Sequence, residues 1–240
     1  MTSMRSDRSK NNAFIDMKKT GILIIVISAL LSGCGVYNPL TCDIPLINNK
    51  HDIRIDGGRS LAEAVGGTIS YGLTDKVALQ FAGSKSSEKN NYYFQLAPGY
   101  YKNLGNQKIM EIYVGYGTGT GYSYNDPHPG HIQGDYQLYF AQINIGKINT
   151  KFAHTDLGLG FKTGYLHSNL VDAGYYAPSS SGNYKFDCAT FEPHAILRSG
   201  TENIKICFKL AGCFIVKFNN IPESYPYFYF NAGLGLNFNF

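Results

Sequence analysis

The chain is predicted to be all-β: an antiparallel up-and-down transmembrane β-barrel of ten strands, or eight if its first two candidates do not pair into the wall. Three observations carry this expectation. Apolar and polar residues alternate with a period of two through several long runs, as a half-exposed strand requires. These runs are about 9–13 residues long, close to the ~9–11 that a tilted strand needs to cross a bilayer. Finally, the intervening segments alternate short and long, as in outer-membrane barrels.

The elements are justified in chain order. Lys18 and Lys19, the apolar run from Gly21 to Leu31 and then Ser32-Gly33-Cys34 have the three-part build of a bacterial export signal. The run is too short to span as a helix, which takes ~20 residues. Its end resembles a lipobox, in which the cysteine thiol takes a diacylglycerol and becomes residue one. Residues 1–33 are therefore set apart as a signal with an N-terminal extension and a natural start at Met17. Residues 34–50 are expected to form a lipid-anchored linker and 51–240 the barrel. Strands are predicted near 51–57, 61–73, 76–84, 91–102, 107–120, 135–148, 151–167, 185–198, 203–217 and 227–240. Short turns are placed at 73–76, 103–106, 147–150 and 199–202, and long loops at 84–91, 123–134, 168–184 and 219–226. An even strand count puts both barrel termini on the periplasmic side, where an anchor at Cys34 is expected.

Alternation assigns the faces. In the last run Phe228, Phe230, Ala232, Leu234, Leu236, Phe238 and Phe240 form an apolar face, while Tyr229, Asn231, Gly233, Gly235, Asn237 and Asn239 form a polar or small one. In a membrane barrel the first face meets lipid and the second lines the lumen. A soluble lipocalin-like carrier would turn the apolar face inward. The polar face, rich in Gly, Ala, Ser, Asn and charges of both signs, suits a narrow lumen. Pro98 and Pro193 lack an N–H, so bulges or locally broken ladders are expected there. Tyr92, Tyr93, Tyr100, Tyr101, Tyr136, Tyr139, Tyr225, Tyr227 and Tyr229 fall near strand ends, as interfacial girdles do.

Composition agrees. The chain has 27 Gly, 19 Tyr, 15 Phe and no Trp, and aromatics with glycine suit pleated walls and crowded interiors. The formal charge of +4 comes largely from the signal. Without residues 1–33, which hold five Lys/Arg and two Asp of the 21 and 17, 16 basic and 15 acidic residues remain, a net of +1. Such a chain offers nucleic acid no electrostatic footprint.

Catalytic signatures are absent from the sequence: it carries no HExxH, GxSxG, phosphate loop or CxxC. His128 and His131 with Asp126 are read as a solvated Pro/Gly turn rather than a metal site. His167 and Ser168 are adjacent, so they point to opposite faces and cannot form a dyad. No enzyme activity, cofactor or metal is expected.

Within a small lumen the inward residues Glu111, Asp156, Lys162, Glu192, His194, Arg198, Lys205 and Lys209 are expected to pair into a core network rather than line a pore. With a four-residue turn at 199–202, Arg198 falls opposite Asn203, Glu192 opposite Lys209 and Cys188 opposite Cys213. That register makes a Cys188–Cys213 disulfide possible in an exported chain, leaving Cys207 and Cys42 unpaired.

The segments Ile44-Pro-Leu-Ile-Asn-Asn-Lys-His-Asp-Ile-Arg-Ile55, Ile69-Ser-Tyr-Gly-Leu-Thr-Asp75 and Leu96-Ala-Pro-Gly-Tyr-Tyr-Lys102 resemble small, uncharacterised outer-membrane barrel lipoproteins of Bacteroidetes type. The shared features are turns and strand ends, Tyr71-Gly-Leu-Thr-Asp75 and Gly99-Tyr-Tyr101 among them. The resemblance implies a fold and a location, and it implies no catalytic residue. The terminal Phe240 likewise resembles the signal read by the barrel-assembly machinery.

The expected protein is thus an outer-membrane barrel lipoprotein, lipid-anchored through Cys34. Its partners would be outer-membrane lipids, the assembly and lipoprotein-sorting machineries and an unidentified loop ligand. Its expected role is structural or surface interaction through loops such as Asp172-Ala-Gly-Tyr-Tyr-Ala-Pro178. A narrow channel for small solutes and a soluble periplasmic lipid carrier are the alternatives.

Overall fold

The computed structural model describes residues 37, 44–61, 64–86, 91–125, 130–150, 154–174, 181–218 and 228–240. Ten strands form the wall: β1 (Ile53–Ser60), β2 (Ala64–Gly72), β3 (Val77–Ser86), β4 (Tyr92–Gly105), β5 (Lys108–Asn125), β6 (Gly130–Thr150), β7 (Thr155–Ala173), β8 (Ser181–Gly200), β9 (Ile204–Lys217) and β10 (Phe228–Asn239). Each pairs antiparallel with its chain neighbours, and β1 pairs with β10, so the barrel is closed. No strand is left with an unpaired edge, the condition for a sheet in lipid. The described residues contain no helix.

The first two candidate strands belong to the wall, which gives ten strands rather than eight. Gly57-Gly58 resembles a strand breaker in sequence, yet it is where the barrel shuts. Gly58 faces Gly235. A Cβ on Gly58 would lie 2.4 Å from the Leu234 carbonyl oxygen, and one on Gly235 would lie 2.2 Å from that of Gly57. The seam between β1 and β10 closes only because neither position carries a side chain.

Both internal prolines interrupt one ladder without moving the register. Pro98 keeps Leu79 as its neighbour on β3, while the β4–β5 ladder skips from the Leu96–Tyr116 pair to Gly99–Tyr113. Pro193 keeps Phe161 on β7, while the β8–β9 ladder skips from Phe191–Phe214 to His194–Ala211. Each missing N–H is thus absorbed by a local break.

Two turns sit later than expected. The β8–β9 strands remain paired through Gly200–Lys205. The Thr201 amide donates to the Ile204 carbonyl at 2.8 Å, and the Ile204 amide donates to the Thr201 hydroxyl at 3.0 Å, so Thr201 closes the turn with backbone and side chain together. Between β6 and β7 the segment expected to turn at 147–150 stays in the strand. There the ladder shifts between Lys147 and Thr150, with Asn149 at φ 46°, a bulge rather than a reversal. The β4–β5 turn is two residues, Asn106 and Gln107, both at positive φ, the geometry that suits a tight hairpin.

The outer wall is apolar all round. Val65, Ile69, Phe81, Leu96, Val114, Ile143, Leu159, Phe208, Leu234 and Leu236 are all exposed on it. The inner face carries almost all the buried polar and charged groups. Adjacent tyrosines split between the faces, as the pleat demands. Tyr92, Tyr100 and Tyr139 point outward as expected of a girdle, but Tyr93, Tyr101, Tyr136 and Tyr229 are buried in the lumen. Tyr225 and Tyr227 lie outside the described residues.

Candidate functional site

The lumen holds two polar layers separated along the barrel axis, and each is built from inward positions of several strands. In the layer nearer the short turns, Asp56 on β1 is the hub. Arg198 on β8 reaches it with Nη2 at 2.9 Å and Nε at 3.3 Å, Asn237 on β10 donates at 3.0 Å, and Lys209 on β9 lies 3.6 Å away. Beside it, the Lys205 ammonium donates to Asp156 at 2.7 Å and to the Asn149 side chain at 2.8 Å. Asp156 also accepts the Asn149 amide at 2.8 Å, so the bulge before β7 is tied to this ion pair. Arg54 links Asp156, at 4.0 Å, to Asp52 at the mouth, at 3.2 Å.

The second layer lies further from the short turns. Lys162 on β7 stands 3.7 Å from Glu192 on the neighbouring β8 and donates to Gln95 at 3.3 Å. Its ammonium lies 4.6 Å from the Phe140 ring centroid, close enough for a cation–π contact. Glu111, nearer the short turns on β5, is tied to this layer from below, accepting from Asn144 at 3.0 Å. His194 is buried, with Nδ1 3.0 Å from the Glu192 carbonyl oxygen and Nε2 3.4 Å from the Asn144 side-chain oxygen. Gly160 makes room for that ring, since a Cβ there would lie 2.1 Å from His194 Nε2.

Taken together, the two layers hold five cations and five carboxylates. The cations Arg54, Lys162, Arg198, Lys205 and Lys209 stand against the carboxylates Asp52, Asp56, Glu111, Asp156 and Glu192. Buried charges persist only when so paired and hydrogen-bonded.

The chain's own N-terminal segment completes the filling. Tyr37 is buried in the lumen, its hydroxyl donating to Glu192 at 2.8 Å. Its ring meets Tyr136 edge-on at 5.3 Å and Tyr93 at 6.4 Å. Those two tyrosines are accommodated because Gly117 and Gly119 face them: a Cβ there would lie 2.1 Å from the Tyr93 hydroxyl and 2.6 Å from Tyr136. Ile44, Leu46 and Ile47 are fully buried. The Ile47 amide donates to Glu111 at 2.8 Å, and Arg198 donates to the Pro45 carbonyl at 3.4 Å. Tyr37, Ile44, Leu46 and Ile47, which fall in the stretch expected to form a lipid-anchored linker, therefore pack inside the wall.

All eight residues expected in a lumen network, Glu111, Asp156, Lys162, Glu192, His194, Arg198, Lys205 and Lys209, face the interior, but the structure distributes them over two layers. Glu192 pairs with Lys162 and Tyr37 rather than with Lys209, and Lys209 turns to Asp56. Arg198 lies opposite Cys207, not Asn203. The cause is the later turn at Thr201, which moves the register by four while keeping its parity. The same shift removes the expected Cys188–Cys213 disulfide. Cys188 lies opposite Lys217, so Cys213 is about 13 Å further along the strand, beyond the ~7 Å Cα separation a bridge tolerates. Cys188, Cys207 and Cys213 are all reduced. Cys34, Cys42, Asp126 and His128 lie outside the described residues.

Asp56, Arg54, Asn144 and Tyr37 were not anticipated. The first two carried a signal, because Asp52, Arg54 and Asp56 alternate with Ile53 and Ile55. Tyr37 had none, being a lone aromatic in an aperiodic stretch. His167 faces outward and pairs with Asp187 at 2.7 Å, while Ser168 is buried in the lumen. No cluster of three or more His, Cys, Asp or Glu suited to a metal occurs among the described residues.

No protein-family model matches this chain, and no curated protein matches it. Its structure is similar to that of the outer membrane protease OmpT of Escherichia coli, with a TM-score of 0.55 and 11% identity over 84% of this chain and 100% of that one. It also aligns with the N-terminal β-barrel domain of Pseudomonas aeruginosa OprF, with a TM-score of 0.30 and 20% identity over 80% of this chain and 98% of that one. The likeness to OmpT is one of fold. A closed ten-strand wall, apolar outside and charged inside, with that likeness, defines the class: a β-barrel protein of the outer-membrane kind.

Proposed function

We propose that this protein is an outer-membrane β-barrel lipoprotein, acylated at Cys34, whose role is structural or one of surface interaction through its longer loops. The observation that carries the reading is the combination of a lipid-facing apolar wall with a lumen filled by paired charges and by the chain's own residues 37 and 44–47. An interior occupied, among the described residues, by paired charges and by the chain's own Tyr37, Ile44, Leu46 and Ile47 counts against the channel alternative. An outward apolar face counts against a soluble lipid carrier, whose apolar residues would surround a cavity. The loops remain as the part free to meet a partner. No step in this reading calls on a catalytic group.

Mass spectrometry of the mature N-terminus, together with fractionation, tests it. The expected result is a diacylated Cys34 peptide from a protein that leaves the membrane only with detergent. An unmodified terminus at Met17 or Met1 in the membrane fraction would overturn the lipoprotein reading. Release by carbonate without detergent would overturn the barrel's place in the membrane.

A further inference from the structure

The N-terminal segment has two anchor points inside the lumen, and they lie at different heights. Glu192, which holds the Tyr37 hydroxyl, and Tyr93 and Tyr136, which hold its ring, stand far along β8, β4 and β6 from the short turns. At a rise of about 2.5 Å per residue along the axis of a tilted strand, these contacts are roughly 20–35 Å above the short-turn end. Arg198 and Glu111, which hold the Pro45 carbonyl and the Ile47 amide, are only roughly 5–8 Å above that end. Asn48 is already at the mouth, its amide on Asp52 and its side chain accepting from Asn103, and the His51 amide donates to Gly72. Tyr37, then Pro45 and Ile47, then Asn48 thus stand at successively lower heights, and the chain leaves the lumen by the short-turn mouth.

Cys34 is three residues before Tyr37, so its Cα lies within roughly 11 Å of that of Tyr37 in any conformation. The lower lumen is filled by Ile44, Leu46, Ile109, Ile148, Ile196 and Cys207, and the wall is closed. With Tyr37 docked, an acyl group on Cys34 has no route to the leaflet around the short turns. We propose that the chain is threaded through its own barrel, so that the lipidated N-terminus emerges on the same side of the membrane as the long loops. The proposal rests on acylation of Cys34, and it replaces the short-turn-side anchor expected from strand parity. The lipid would enter the leaflet nearest the long loops, with the lumen acting as the docking channel for the segment that carries it.

The test compares two positions in the whole chain, expressed in a Gram-negative host. An epitope inserted after Gly35 and a second inserted between residues 175 and 180 are each probed with antibody on intact and on permeabilised cells. A Val36→Cys substitution, in a chain whose cysteines other than Cys34 are serine, repeats the first probe with a small impermeant maleimide. Heat-modifiable migration verifies that each variant is folded. The two positions should label under the same condition, both on intact cells. Labelling of one on intact cells and of the other only after permeabilisation overturns threading. Labelling of both only after permeabilisation leaves threading standing and reverses the orientation of the barrel. The mass of the Cys34 peptide reports separately on acylation, so failure of the lipoprotein reading is distinguishable.

Discussion

The two polar layers of the lumen use similar residues for different ends. Near the short turns, Asp56, Asp156, Arg54, Arg198, Lys205 and Lys209 find their charge partners on other strands of the wall. Further up, the strand-borne pair Lys162–Glu192 is longer, at 3.7 Å, and Glu192 is shared with Tyr37, which belongs to no strand. The lower layer ties β1 to β8, β9 and β10 across the seam, so it holds the barrel shut. The upper layer receives a segment from outside the wall, so it is a docking site. Charge in a narrow lumen thus serves closure in one place and recognition in the other.

The comparison breaks most readily at the lower layer. Arg198→Met leaves Asp56 buried with only Lys209 and Asn237, and losing one partner of a buried pair costs about 3–5 kcal/mol. Urea unfolding in detergent, followed by far-UV circular dichroism because the chain has no Trp, should show that loss. Replacing both partners, Asp56→Asn with Arg198→Met, should recover much of it. A lipid-facing charge comes next. Val114→Lys, on the outer face of β5 roughly 15 Å above the short turn, should cost about 2–4 kcal/mol in bilayers and much less in detergent.

The upper layer should give the smallest change. Tyr37→Phe removes one hydroxyl from Glu192 but leaves Lys162 beside it, so a loss of about 1 kcal/mol is expected in the same unfolding assay. A loss as large as that of Arg198→Met would place Tyr37 among the residues that hold the wall together and erase the distinction between the layers.

Much of the wall was legible because lipid and lumen impose opposite chemistry on alternate residues, and Phe228 to Phe240 shows that rule without a break. Faces survive errors of register, which is why Glu192, Arg198 and Lys209 read as inward although the expected pairs, Glu192 with Lys209 and Arg198 with Asn203, do not form. Turn position was less legible. Thr201 closes its turn with a side-chain hydroxyl, and Asn149 makes a bulge where its residue type suggests a reversal. Two residues of displacement in a turn moved every β8–β9 pair by four. Gly57-Gly58 leaves the choice between ten strands and eight open in the sequence, since glycine marks both a strand's end and a place where two backbones meet. Tyr37 could not be read at all, because its role depends on what lies around it in space.

The central claim is that the protein's own residues fill the lumen, and single-channel recording of the whole protein in planar bilayers tests it most directly. The account predicts a quiet membrane after insertion has been verified by heat-modifiable migration of the reconstituted protein. Reproducible conductance steps from the intact chain would contradict it.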